Sequence, residues 1–112
     1  MMQSNPAPKV AILSSVHQAL DNRVFYREAR TLAQAGYDVT LIAVHDRDEM
    51  KDGVRIRALP RVPRSRRPLL WRAIARMAIE TDADIYQIHD PELLLVTPYL
   101  RRKTGRPTIY DI

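Results

Sequence analysis

Apolar positions along the chain fall into short solid blocks separated by stretches in which they recur at helical spacing. Val10, Ala11, Ile12 and Leu13 form the first block, whose length and β-branched content predict a buried strand. Next comes a helix-period segment in which Phe25, Ala29, Leu32 and Ala33 share one face while Arg23, Arg27, Arg30 and Gln34 point away. Asp21 or Asn22 is placed to cap its start, and Gly36 to supply the left-handed position just past its end. The block Val39 to Val44, VTLIAV, reads as a strand covered on both faces. Strand, helix and strand in this order make a βαβ unit with a right-handed crossover.

The pattern then recurs. After the charged segment HDRDEMKDG, read as a loop, the residues Val54 to Leu59 alternate as a strand with one wetter side, near an edge, ended by Pro60 and Pro63. From about Arg67 to Glu80 a second helix gathers Leu70, Ile74, Met77 and Ala78, and Ile85 to Ile88 follows the Asp82 to Asp84 turn as another short strand. A third helix is expected from Pro91 to about Lys103, with Asp90 as N-cap, Pro98 breaking or kinking it, and Gly105 closing it. PTIYDI, residues 107–112, reads as a fifth strand. The fold class is therefore α/β: a Rossmann-like, mostly parallel sheet of about five strands with flanking helices. Residues 1–8 read as a flexible polar tail and 9–112 as one partial domain. A strand this rich in Ile and Tyr normally leads into a covering helix, so a fragment of a longer protein is the expectation, with its uncovered last strand free to pair between chains.

Composition narrows the chemistry. No apolar run approaches the ~18 residues of a membrane span, and the polar start lacks the apolar core of a secretory signal, so the expectation is a cytoplasmic protein. With no cysteine among 112 residues, thiol nucleophiles, disulfides and thiolate zinc sites are excluded. The net charge of +5 is local: Arg61, Arg64, Arg66, Arg67, Arg72 and Arg76 fall in one span. Such a patch suits an anionic surface.

In open α/β sheets ligands sit outside the carboxyl ends of the strands. Three connections qualify: Ser14 to Asn22, His45 to Asp52, and His89 to Glu92. The first, SSVHQALDN, has no glycine, so it is neither a dinucleotide fingerprint nor a P-loop, whose backbones must approach phosphate closely. It offers Ser14, Ser15, His17, Gln18, Asp21, Asn22 and Arg23 to a hydroxyl-rich ligand instead, while Asp21 or Asn22 also serves the helix as a cap. His89 ends a strand beside a helix N-terminus, which disfavours the imidazolium form and sets a neutral ring facing the cleft as a hydrogen-bonding group. Asp90 beside it reads as a cap and as a binding candidate. His17, His45 and Asp46 lack a metal-ligand spacing, and no metal site is expected.

The segments KVAILSS, DNRVFYREARTLAQAGYDVTLIA, GVRIRALP, DADIYQIHDPELL and RPTIYDI, in this order, resemble the amino-terminal domain of a family 4 glycosyltransferase, a retaining enzyme of the GT-B fold. The resemblance implies two facing Rossmann-like halves that move a sugar from a nucleotide-sugar donor to an acceptor, with no further cofactor. It implies that the amino-terminal half shapes the acceptor side, through the loop after the first strand and the histidine ending the fourth, here Ser14 to Asn22 and His89. The family's Glu-x7-Glu motif belongs to the other half. The glycine-free first loop departs from many members. On this reading the 112 residues alone are inactive.

RVPRSRRPLLWRAIAR, residues 61–76, joins an arginine-rich linker to an amphipathic helix. It reads either as an exposed linker with Trp71 packed in the core or as a peripheral attachment to an anionic membrane at its inner face, in keeping with a lipid-linked or polysaccharide-precursor acceptor. Apart from Trp71, aromatic platforms are missing between the arginines, which argues against nucleic acid. A sugar-nucleotide epimerase of the same architecture and a non-catalytic basic α/β binding module are the rival readings.

Overall fold

A computed structural model of the chain describes residues 7–18 and 22–110, with the side chains of residues 16–18, 22, 23 and 64 outside the description. Most of the expected amino-terminal tail, and Asp21 as a cap, fall outside the described residues. The strands are β1 (Lys9–Gln18), β2 (Asp38–Val44), β3 (Glu49–Lys51), β4 (Val54–Leu59), β5 (Ile85–Ile88) and β6 (Thr108–Tyr110). They form one sheet of six strands in the order β3-β4-β2-β1-β5-β6. Every pairing is parallel except β3 with β4.

The extra strand lies inside the charged segment that the sequence presents as a loop. Glu49, Met50 and Lys51 carry no apolar alternation, yet Asp52 and Gly53 both take positive φ (50° and 82°) and turn the chain back as a tight hairpin. β4 thus lies near the edge, as its alternation implies, with β3 forming the edge itself. Among the described residues the opposite edge is β6, where Ile109 stands half exposed.

Period-two alternation divides β1 between two cores. Val10 and Ile12 join Val39, Leu41, Val54 and Ile56 under Val24, Phe25 and Ala29 of the first helix. Ala11 and Leu13 join Ile42, Leu59, Tyr86 and Ile88 under the helices on the opposite face. That first helix is π-helical over Asn22–Ala29 and α-helical over Arg30–Gln34 (α1). Leu32 and Ala33 pack at its margin and Gly36 ends it at φ 101°, as the sequence implies. On the second face, α2 (Arg67–Thr81) buries Leu70, Ile74, Ala75 and Ala78, with Met77 half-buried against the same core. Each fully buried Leu or Ile side chain of this core stabilises by about 1.5–3 kcal/mol.

The third predicted helix is two pieces. A 3-10 turn spans Pro91–Leu95, and α3 runs Thr97–Thr104 with Gly105 left-handed at its end. The break falls just before Pro98, whose ring and missing N–H are tolerated only in a first turn. β1 also runs further than its apolar block: it continues through Ser14 and Ser15 to Gln18, with an irregularity in its pairing to β2 after Leu13. Part of the expected serine loop is thus strand.

Candidate functional site

β1 lies between β2 and β5, so the chain leaves β1 toward one side of the sheet and later returns on the other. Their carboxyl ends form the topological switch point of the sheet. Leu13 pairs with Ile88, and the backbone N–H of His89 donates to the Leu13 carbonyl at 3.1 Å. The serine segment and the histidine therefore share one rim.

On the α2 side of that rim the pairing continues through side chains. Asp90 is buried, and its Oδ2 accepts the Ser15 backbone N–H at 2.6 Å and the Ser14 hydroxyl at 3.0 Å. Asp90 makes no side-chain cap to the turn that follows it. The carboxylate has turned back across the sheet, because two donors at the end of β1 lie within its reach and a charge-assisted bond to a buried amide outweighs a cap to an exposed turn. Two residues on, Glu92 collects the Ser15 hydroxyl (2.9 Å), the Arg67 guanidinium (2.6 Å) and the Trp71 indole N–H (2.7 Å). One carboxylate thus ties β1, the 3-10 turn and the start of α2 together.

On the other side, Gln87 and His89 share the face turned toward the first helix, since Tyr86 and Ile88 occupy the opposite one. His89 Nε2 lies 2.9 Å from Glu28 Oε2, and Gln87 donates to the same oxygen. The His89 side chain is only 3% exposed, against 21% for Glu28. The sequence suggests a ring open to the cleft; the structure buries its side chain at the strand end, where Glu28 of the π-helical segment contacts it.

The other sequence candidates divide clearly. Ser14, Ser15, His89 and Asp90 converge. His17, Asn22 and Arg23 belong to the same part of the chain, but their side chains lie outside the described residues. His45, at the end of β2, is engaged by Glu49 of β3, a bond that is the main cause holding the Glu49 carboxyl below its ordinary range. Among the arginines, Arg61, Arg66, Arg72 and Arg76 are exposed, Arg67 is drawn inward onto Glu92, and the Arg64 side chain lies outside the description. Trp71 is half-buried against the core. Glu28, Gln87 and Glu92 were not singled out by sequence reasoning. For Gln87 a signal existed, as it stands two residues before His89 on the same strand face.

Between α2 and α3 runs a groove of about 760 Å³, lined by Trp71, Ile79, Leu95 and Tyr99 and edged by Arg72, Arg76 and Lys103. Leu95, at the end of the 3-10 turn, is 69% exposed, and Leu69 of α2 is 62% exposed.

The chain is similar to the crystal structure of the C-terminal domain of a hydrogenase from Pyrococcus furiosus, with a TM-score of 0.62 and 14% identity, covering 99% of this chain and 98% of that one. At that identity the likeness establishes the α/β fold alone. No functionally curated relative matches the chain. The family model described as Glycosyltransferase Family 4, in contrast, matches residues 22–111, which include the first helix, the Glu28 carboxylate and the whole of the His89 to Glu92 junction. The chain thus belongs to Glycosyltransferase Family 4.

Proposed function

We propose that this chain forms the acceptor-side half of a retaining glycosyltransferase, which moves a sugar from a nucleotide-sugar donor to an acceptor and needs no cofactor beyond that donor. The observation that carries the reading is the meeting of Ser14, Ser15, His89 and Asp90 at the switch point of the sheet, in a chain of this family. His89 aligns a sugar hydroxyl near the reacting centre. Its contribution is positional, since a fixed imidazole removes the orientational freedom that a reacting pair must otherwise lose. Ser14, Ser15 and Asp90 hold the strand end from which it acts, with His17, Asn22 and Arg23 in the adjoining segment available to the acceptor.

The test uses the complete enzyme with a panel of nucleotide-sugars. His89→Ala is expected to lower kcat by about tenfold or more, the loss of a well-oriented contact, and the 112-residue chain alone to transfer nothing. Unchanged kinetics in the variant, or transfer by the chain alone, refutes the reading.

The α2–α3 groove supports a second element of the proposal: attachment of the protein from the cytoplasm to the inner, anionic face of a membrane. Leu95 and Tyr99 in the groove and Leu69 elsewhere on α2 supply exposed apolar surface, and Arg72, Arg76 and Lys103 line the groove with positive charge. That combination inserts shallowly among headgroups while pairing with their phosphates. No helix among the described residues is long and apolar enough to cross a membrane. The 3-10 turn Pro91–Leu95 links this face directly to His89, so an acceptor carried on a lipid would arrive beside the site.

A further inference from the structure

We infer that the cavity between the ends of β1, β2 and β4 and the start of α2 is an oxyanion subsite, in which Arg61 and Arg67 grip a phosphate or carboxylate group carried by the sugar acceptor; this rests on the acceptor-side reading of the chain.

The cavity lies where an α/β sheet takes its ligands. It measures about 200 Å³ and is lined by Ser15 of β1, Val44 of β2, Arg61 and Val62 just past β4, and Arg67 and Leu70 of α2. The strand residues among these stand toward carboxyl ends, the side of the sheet that holds the switch point. A whole drug-sized ligand needs roughly 300–1,000 Å³, so this volume suits one appended group with part of the ring that bears it. The reach from His89 is short. β1 lies between β5 and β2, with β4 next beyond, and neighbouring strands are about 4.8 Å apart, so a molecule held at His89 crosses one to three strand spacings to enter the cavity.

Charge decides which group it takes. Between Asp52 and Glu80 the sequence has no acidic residue, while Arg61, Arg64, Arg66 and Arg67 fall in one run. Glu92, from another segment, engages one nitrogen of Arg67 at 2.6 Å. A guanidinium carries five N–H donors in a planar fork, so one bond holds the fork in place without exhausting it. Glu92 is itself anchored by Ser15 and Trp71, which makes Arg67 a donor fixed before any ligand arrives. Ser15 gives its amide to Asp90 and its hydroxyl to Glu92, so what the cavity offers a ligand is guanidinium. Arg61 is set between Pro60 and Pro63, and the Arg66 N–H closes the following turn on the Pro63 carbonyl at 2.9 Å. Two like charges lining one small cavity beside Val44, Val62 and Leu70 repel each other. An oxyanion between them replaces that repulsion by two charge-assisted pairs, of the planar, bidentate kind that guanidinium favours.

Three measurements on the complete enzyme test this. In crystals soaked with tungstate, a tetrahedral oxyanion like phosphate, an anomalous peak is expected between Arg61 and Arg67 and is expected to vanish in Arg61→Gln. Arg61 is exposed, so the variant should fold as the wild type does. No peak in the wild type overturns the inference. In kinetics, sugar phosphates or uronic acids are expected to be used at least about tenfold better in kcat/KM than the matching neutral sugars, with Arg61→Gln erasing the preference through the acceptor KM, the worth of one hydrogen bond to a charged group. Equal use of neutral and anionic acceptors, with the peak present, means an adventitious ion only. Inorganic phosphate should compete with the acceptor and not with the nucleotide-sugar; the reverse pattern assigns the cavity to the donor and overturns the acceptor assignment. Arg61→Gln that weakens binding to anionic vesicles and leaves acceptor use intact makes the anion a lipid headgroup and overturns it likewise. The tungstate soak needs no turnover, so an enzyme that holds the ion yet transfers no sugar refutes the proposed function and leaves the oxyanion site standing.

Discussion

The backbone N–H of Ser15 donates to the carboxylate of Asp90 at 2.6 Å, joining residues separated by 75 positions in sequence. This bond closes the carboxyl ends of β1 and β5 against each other, and the residues on either side of it, Leu13 and His89, are joined by backbone. Asp90→Asn keeps the size of the side chain but loses the charge that the Ser15 amide and Ser14 hydroxyl share. We expect a destabilisation of about 1.5–3 kcal/mol, and about 0.5–1.5 kcal/mol for Ser14→Ala, read from urea unfolding midpoints. Loss of less than half a kcal/mol in Asp90→Asn would mean that the carboxylate does not hold this junction.

Glu92 offers a spectroscopic test, because Trp71 is the single tryptophan in the sequence. Its indole N–H donates to Glu92 in a half-buried position. Glu92→Ala should alter the tryptophan emission maximum and lower stability by about 1–3 kcal/mol, since Arg67 and the indole lose a shared acceptor. Identical emission from the two proteins would place Trp71 elsewhere.

Alkaline stability should report on Tyr86. Its phenol is buried, donates to the Ala78 carbonyl at 3.1 Å, and is pushed above its ordinary value chiefly by burial. Ionisation is then easier in the unfolded chain than in the folded one. The stability contributed by the neutral phenol is whole below the unfolded value of about 10 and is lost as pH rises from there toward the folded value. Tyr86→Phe should cost about 0.5–1.5 kcal/mol at neutral pH and show a shallower decline above about pH 10. Parallel pH profiles for the two proteins would contradict this.

Membrane attachment is tested by sedimentation of the complete enzyme with vesicles containing an anionic phospholipid. Binding at low salt, weakened by added salt and by the pair Leu69→Ser with Leu95→Ser, is the expected result. An enzyme left in the supernatant at low salt would remove the attachment from the proposal.

What the sequence determined by itself was the order of the helices and of every strand but β3, because that order is written in local periodicity. Val10 to Leu13 and Val39 to Val44 are too apolar for any but a covered strand, and the helix ends are marked by residues such as Gly36 and Gly105, whose left-handed conformation suits glycine. The sequence also singled out His89, Ser14, Ser15 and Asp90, since polar residues at strand ends stand out against apolar runs. What only the tertiary structure decided was which of these groups serve one another. The edge strand β3 has no periodicity to read, being made by its pairing with β4. Asp90 looks like a helix cap until β1 is beside it, and Glu28 looks like one more charge on a solvated helix until β5 turns Gln87 and His89 toward it. Local pattern reports how much of each side chain the core must take in, whereas the partner of a buried polar group is set by long-range register, which no single segment of chain contains.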